Sequence, residues 1–152
     1  MEALRFEYPK SVRFRCLRCA LCCMDVDSRE RRILLLEAEA RRISEAAYIG
    51  IGDFALEVKY EDPFKYVMKK ENGRCVFLRD NLCYIYELRP IICRFYPFKL
   101  ERVWGRGLRF SYTEECPGIG RGPRLRRTYF EELLNYLREN LERAPRDDRS
   151  QI

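Results

Sequence analysis

Residues 16–23 read Cys16-Leu17-Arg18-Cys19-Ala20-Leu21-Cys22-Cys23, four thiols in eight positions. A tight turn across a two-residue gap lets both flanking sulfurs face one ion, while backbone N–H groups stabilise the thiolates. Working outward, four more cysteines follow in a dispersed set: Cys75, Cys83, Cys93 and Cys116. The chain contains no histidine. A soft-metal site must therefore be all-thiolate, or be completed by carboxylate or water. This excludes mixed Cys/His zinc fingers and Rieske centres.

The 152 residues fit one domain. A chain of this length buries about 68–70% of its unfolded surface and needs no cross-link merely to fold. Eight cysteines thus ask for a chemical role. Met1 to Lys10 is charged, contains Pro9 and lacks an apolar run, and the longest aliphatic stretch is Ile33-Leu34-Leu35-Leu36. The expectation is a cytoplasmic protein without a membrane span, a setting in which clustered cysteines more often bind metal than form disulfides. The composition, with 24 Arg, 6 Lys and one Gln, leans towards a thermophile. Hyperthermophiles do use intracellular disulfides, so that alternative stays open.

The formal charge is +6 with neutral thiols. Eight thiolates on two zinc ions, or on two 2+ cubane clusters, would leave about +2. The arginine excess then offsets buried sulfur charge, and nucleic acid is not the indicated partner. The tandem gaps with a remote Cys116-Pro117 resemble the ligand run of ferredoxins. Adjacent side chains tend to point apart. One partition therefore gives Cys16, Cys19, Cys22 and Cys116 to one centre, and Cys23, Cys75, Cys83 and Cys93 to a second.

Hydrophobic spacing supplies the elements. Val12, Phe14 and Cys16 alternate with Arg13 and Arg15 as a short strand. Asp27 and Glu30 have capping-box spacing, and Ile33, Leu36, Ala40, Ile43 and Ala47 recur at steps of three and four. Together they predict a helix over 28–48, ended by Gly50 and Gly52, with Asp53 capping a short turn through Leu56. Asp62-Pro63 is a turn. Phe64–Lys69 and Arg74–Leu78 flank Glu71-Asn72-Gly73 as a hairpin. Asp80-Asn81 turns the chain before Cys83. Leu100–Trp104 and Leu108–Tyr112 form a second hairpin around Gly105-Arg106-Gly107. Thr128 and Glu131 have capping-box spacing before a last helix over 129–143. No internal repeat stands out.

The fold expected is a small α+β domain over 1–144, with two main helices and short β-hairpins organised around cysteine-ligated metal, and a frayed tail over 145–152.

Longer stretches carry a family resemblance. Beyond the 16–23 run they are Cys75-Val-Phe-Leu78 and Cys83-Tyr-Ile-Tyr86-Glu-Leu-Arg89-Pro90-Ile-Ile-Cys93-Arg94-Phe-Tyr96-Pro97-Phe98. Together these segments resemble the YkgJ-type CxxCxxCC family of zinc- or iron-chelating domains, whose members are often labelled iron–sulfur oxidoreductases. The match runs from about residue 12 to 118. The family usually has Gly where this chain has Ala20, a position at which Gly permits positive φ without steric cost. A related domain occurs in flagellin lysine methylases, which the resemblance links to a [4Fe–4S] cluster. The resemblance implies metal held by Cys16, Cys19, Cys22, Cys23, Cys75, Cys83, Cys93 and Cys116.

Around the ligands, Arg89 and Arg94 flank Cys93. They can stabilise a cluster's charge or hold an anion, or else pair with Glu87 or Glu101. Tyr84, Tyr86, Phe95, Tyr96 and Phe98 either shield a cluster or pack the core. Gly118-Ile-Gly120-Arg-Gly122 lacks phosphate-loop spacing and reads as a loop. Arg121, Arg124, Arg126 and Arg127 form a basic cluster beside it, read as a solvated helix entrance. Without histidine no serine or cysteine nucleophile has a histidine base, so catalysis, if any, belongs to the metal. The functional expectation is an iron–sulfur protein, of the [4Fe–4S] type, with a redox or cluster-dependent protein-modifying role and a protein partner. The alternative is a Zn2+-stabilised, non-catalytic module binding protein or RNA through Arg121–Arg127. The sequence leaves the number of centres and the oligomeric state open.

Overall fold

The chain enters through two short strands, β1 (Phe6–Glu7) and β2 (Arg13–Phe14), in a computed structural model that describes residues 5–27, 29–105 and 107–142. The expected tail over 145–152 lies outside the described residues. After the cysteine loop come β3 (Leu34–Leu35) and α1 (Glu37–Ala47). The helix predicted over 28–48 thus begins much later. Ile33 and Leu36 have helical spacing, yet the chain here is extended. The carbonyl of Ile33 accepts from Met68 N at 2.8 Å and that of Leu35 from Lys65 N at 2.9 Å. The capping carboxylate is Glu39, not Glu30: its Oε1 accepts from Leu36 N at 3.0 Å.

The end of α1 also differs from expectation. Tyr48, in the left-handed region at φ 57°, closes the helix. Gly50 instead precedes α2 (Ile51–Phe54), and its N–H donates to Asp53 Oδ2 at 3.0 Å. Asp53 therefore supports this turn from inside it. The turn stops at Phe54, because Leu56 belongs to β4 (Ala55–Glu57). β4 and β3 both pair antiparallel with β5 (Tyr66–Met68).

Next come two consecutive hairpins. β6 (Lys70–Glu71) pairs with β7 (Arg74–Cys75), and β8 (Leu78–Arg79) pairs with β9 (Leu82–Cys83). The turns Asn72-Gly73 and Asp80-Asn81 carry positive φ at both positions, as a type I′ hairpin requires. The two hairpins are copies offset by eight residues. Val76 N donates to Lys69 O at 3.1 Å, and at the matching place Tyr84 N donates to Phe77 O at 2.9 Å. This is a small internal repeat that the sequence alone did not reveal.

A 3₁₀ turn over Tyr86–Leu88 leads to α3 (Ile91–Phe95), which carries Cys93. β10 (Phe98–Val103) and β11 (Gly107–Tyr112) form the expected hairpin, and β1 adds to β11 in parallel. Gly118 lies in a turn, but the rest of the stretch read as a loop is a strand: β12 (Ile119–Arg124) lies antiparallel to β2. Its glycines admit a close approach. A Cβ on Gly118 would collide with the Arg15 carbonyl, and one on Gly122 would come within 2.7 Å of the Arg15 Cβ. α4 (Arg127–Glu142) starts before Thr128, which is therefore inside the helix and not its cap.

Two hydrophobic clusters hold these pieces. One packs Phe6, Val12, Ile91, Phe95, Phe98 and Phe110 against Phe130, Leu133 and Leu134 of α4. The other packs Ile33, Leu35, Ala40, Ile43, Phe54 and Met68 with Cys75 and Ile85. The arrangement is a small α+β domain with two main helices, as expected. Among the described residues no helix is long and apolar enough to cross a membrane.

Candidate metal centre

Each cysteine is presented by a short, conformationally fixed device. In the 16–23 loop both two-residue gaps pass through the left-handed region, at Arg18 (φ 56°) and Ala20 (φ 66°). Ala20 thus adopts the conformation that Gly would take freely. The bend lets Arg18 N donate to Cys16 Sγ at 3.4 Å. The backbone N–H two residues on likewise lowers the proton affinity of Cys75 (from Phe77), of Cys83 (from Ile85) and of Cys116 (from Gly118). Cys75 and Cys116 receive a further N–H, from Leu78 and Ile119. Such bonds favour thiolate over thiol.

These devices converge. Cys16, Cys19, Cys22, Cys23, Cys83, Cys93 and Cys116 line one cavity of ≈380 Å³, together with Arg18, Arg89, Arg94, Tyr86, Tyr96 and Tyr129. Cys75 is buried behind it, in the second core cluster. All eight cysteines are free thiols, so the disulfide alternative is not realised. Among the described residues no three thiol or carboxylate groups already stand close enough to hold one ion. The sulfurs ring a space.

Cys22 and Cys23 do not point apart. The 3₁₀ turn over Leu21–Cys23 leaves their Sγ atoms 3.9 Å from each other. Electrostatically, Cys22 acts on Cys23, Cys75, Cys83 and Cys93, whereas Cys16 and Cys19 act on Cys116. The premise that adjacent cysteines point apart therefore does not hold at this pair, and Cys22 lies near the dispersed, buried set as well as beside Cys19 in the loop. The hydrogen bond from Cys23 draws the Cys22 thiol down to about 6, aided by Arg31 and Arg89 against the opposing effect of burial. Cys23 is pushed well up by donating that bond and by burial. Burial also raises Cys75, to about 11, and raises Cys83, Cys93 and Cys116.

Crowded thiols that raise one another's proton affinity are the donor set of a cation. A bound metal supplies the positive charge that lets them ionise together. The residues present therefore fit a thiolate-held metal or cluster.

The surrounding residues divide. Arg89 reaches the cavity with its guanidinium 3.9 Å from the Tyr86 ring centroid and its Nε donating to Tyr86 O at 2.9 Å. Arg94 donates to the carbonyls of Arg89 and Glu87 and lies over Tyr136. Neither forms the ion pair with Glu87 or Glu101 considered from the sequence; among the described ion pairs these side chains are absent. Phe95 and Phe98 are core residues, Tyr96 lines the cavity, and Tyr84 and Tyr86 are exposed. Arg121, Arg124, Arg126 and Arg127 are all exposed, from β12 to the start of α4, where Arg127 pairs with Glu131. Sequence reasoning missed Arg31, whose Nε donates to Cys22 O at 2.7 Å. It also missed Arg29, which donates to Leu21 O and Met24 O while pairing with Glu115. One arginine among 24 gives no signal without the fold.

Comparison with known proteins agrees with this chemistry. The model of the CxxCxxCC family, described as a "putative zinc- or iron-chelating domain", matches residues 15–117. The chain belongs to this family. Metal binding by its cysteine cluster is thus the common ground of fold, donor set and family. Two curated relatives come from Methanocaldococcus jannaschii. The uncharacterized protein MJ0939 is 27% identical over 135 residues, covering 86% of this chain and 45% of the relative. The uncharacterized protein MJ0661 is 27% identical over 106 residues, covering 66% of this chain and 53% of the relative. The CxxCxxCC chain therefore spans about half the length of these relatives. No solved structure matches it.

Proposed function

We propose that the chain binds iron–sulfur, of the [4Fe–4S] type, through Cys16, Cys19, Cys22, Cys23, Cys75, Cys83, Cys93 and Cys116, and that it serves a redox or cluster-dependent protein-modifying reaction. The observation that carries this reading is the ring of seven thiols around one cavity. A cluster brings its own sulfides and spans a wider ring of cysteines than a single ion does. The N–H bond to Cys16 and the backbone N–H groups that favour the thiolates of Cys75, Cys83 and Cys116 add support, because N–H groups directed at sulfur tune cluster potentials. When bound, the group supplies one-electron chemistry. The protein holds its sulfurs, shields it with Tyr96 and Tyr129, and offsets its charge with Arg89 and Arg31.

The protein partner is the redox or modification substrate, reached through the open side where Cys16 and Cys19 are exposed. Anaerobic purification followed by iron, labile-sulfide and zinc analysis tests the reading. Brown protein with iron and sulfide in equal amounts supports it. Colourless protein with stoichiometric zinc would sink it and favour a zinc-stabilised module, presenting the exposed Arg121, Arg124, Arg126 and Arg127 to a partner.

A further inference from the structure

Two buried polar atoms lack any partner among the described residues: Nη2 of Arg31 and the hydroxyl of Tyr96. They belong to neighbouring side chains, with the Arg31 guanidinium carbon 5.0 Å from the Tyr96 ring centroid. Arg31 is not free to turn away. Its Nε is fixed on the Cys22 carbonyl at 2.7 Å, and its own N–H donates to Asp25 Oδ1 at 2.6 Å. The contrast with Arg29 is informative. That guanidinium lies against the same loop, and its three nitrogens reach Glu115, Met24 O and Leu21 O. A buried, charged donor left without an acceptor is costly, and native structures supply one.

The ionisable groups that surround the pair include cysteine sulfurs. The charge of Arg31 favours the thiolates of Cys22 and Cys93. Tyr96 lies near Cys116 and lines the cavity. The pair thus stands between the buried thiols and the Cys16, Cys19 and Cys116 side. A second small anion is a poor alternative occupant, because the cavity wall is already rich in ionisable sulfur.

We propose that Arg31 Nη2 and the Tyr96 hydroxyl donate hydrogen bonds to sulfur of the bound metal centre, and that Arg31 thereby sets its reduction potential. The potential rests on the iron–sulfur reading above, and the hydrogen bonds do not. One-electron reduction adds one negative charge to the centre. A fixed guanidinium stabilises that added charge, so its removal lowers the potential.

The test uses anaerobically loaded wild type, Arg31→Lys, Arg31→Gln and Tyr96→Phe. Each is assayed for iron and sulfide, then titrated with dithionite in the presence of mediators. Arg31→Gln should keep its cluster while the reduction equilibrium falls about tenfold, a shift of about 59 mV for one electron. Arg31→Lys, which keeps the charge, should recover most of this. Electron–nuclear double resonance of the reduced centre should lose a D2O-exchangeable proton in Tyr96→Phe, a variant that removes only one oxygen and keeps the test alive if Arg31→Gln fails to load. Unchanged potential and unchanged proton couplings in loaded variants would overturn the proposal and assign the two donors to buried water. If the metal proves to be zinc, the iron–sulfur reading fails separately. Zinc release to a chromophoric chelator then decides the hydrogen bonds: about tenfold faster release from Arg31→Gln than from Arg31→Lys upholds them, and equal rates reject them.

Discussion

Lys70 places its Nζ 2.9 Å from Oδ1 of Asp25, and this pair ties the cysteine loop to the hairpin that ends in Cys75. The tie has a second strand in Asp25 N, which donates to Gly73 O at 2.7 Å. Arg31 N donates to the same carboxylate and so fixes it on the loop side. Two sequence-distant groups of ligands are thereby held in one register.

The Arg31 amide and the Lys70 ammonium hold the Asp25 carboxyl below the usual carboxylate range. A depressed folded pKa contributes stability above the unfolded value, about 3.9, and the contribution is lost as pH falls through the folded one. Asp25→Asn should therefore melt lower than wild type at neutral pH and release metal faster. The gap in melting temperature should be constant from about pH 7 to 5 and should narrow below about pH 4. Thermal melts of both proteins across this range check it. A gap that widens in acid would be the wrong sign.

Gly118 is the next discriminating position. A Cβ there collides with the Arg15 carbonyl, whereas one at Gly120 meets nothing within 4 Å and carries only the strain of φ +86°. Gly120→Ala should cost about 1–2 kcal/mol, the price of a left-handed residue. Gly118→Ala carries no left-handed strain but must push the start of β12 off the end of β2, and should cost about 3 kcal/mol, the upper end of overpacking costs. Because β2 leads into Cys16 and β12 follows Cys116, only Gly118→Ala should also lower metal content. Urea unfolding with parallel metal analysis separates the two. Equal metal loss in both variants would contradict the packing argument.

How much of this was legible in the sequence depends on local determinism. The turns at Asn72-Gly73 and Asp80-Asn81 were legible, because few residues accept two successive left-handed conformations. The start of α1 was not. Ile33 and Leu36 are three apart, a spacing that a strand leading into a helix satisfies as well as one helical face. β12 was hidden because its two glycines, with Gly118 just before them, read as a loop; only the passage of the Arg15 carbonyl explains Gly118. The eight thiols were legible as a set, but their grouping was not. The 3₁₀ turn at Leu21–Cys23 reverses the rule that neighbours point apart, and nothing in the residue types announces it.

Ala20 offers a test of that loop. It is buried and left-handed, at φ 66°. Ala20→Gly relieves about 1–2 kcal/mol of backbone strain. Against this stand about 0.4–1 kcal/mol of added unfolded-chain entropy and about 0.8 kcal/mol for a lost buried methyl. The terms nearly cancel. The expected outcome is a change in stability within about 1 kcal/mol, with metal content unaltered. Denaturant midpoints and metal analysis measure it. A loss of metal would show that the methyl itself shapes the loop.

Glu39 carries the last prediction, because one buried carboxylate serves two helices. Its Oε1 accepts from Leu36 N at the start of α1. Its Oε2 accepts from Ile91 N at the start of α3, at 2.5 Å, and from the Tyr136 hydroxyl at 3.2 Å. Burial nevertheless raises its proton affinity above the ordinary carboxylate value, with these donors only partly opposing it. The sign follows from that. An acid with a raised folded pKa makes the protein lose stability as pH rises from the unfolded value, about 4.3, through the folded one. Glu39→Gln removes this slope. It also leaves one of the two backbone N–H donors facing an amide –NH2, at a cost of about 1–3 kcal/mol. The variant should therefore be less stable at neutral pH, and the deficit should widen on acidification towards pH 5, where the wild type gains and the variant does not. Since Ile91 opens the helix that carries Cys93, the variant should also release metal faster. Denaturant melts at several pH values, paired with chelator-competition rates, test both consequences. A deficit that shrinks in acid would mean that the carboxylate is held ionised by its donors and that burial is the weaker influence.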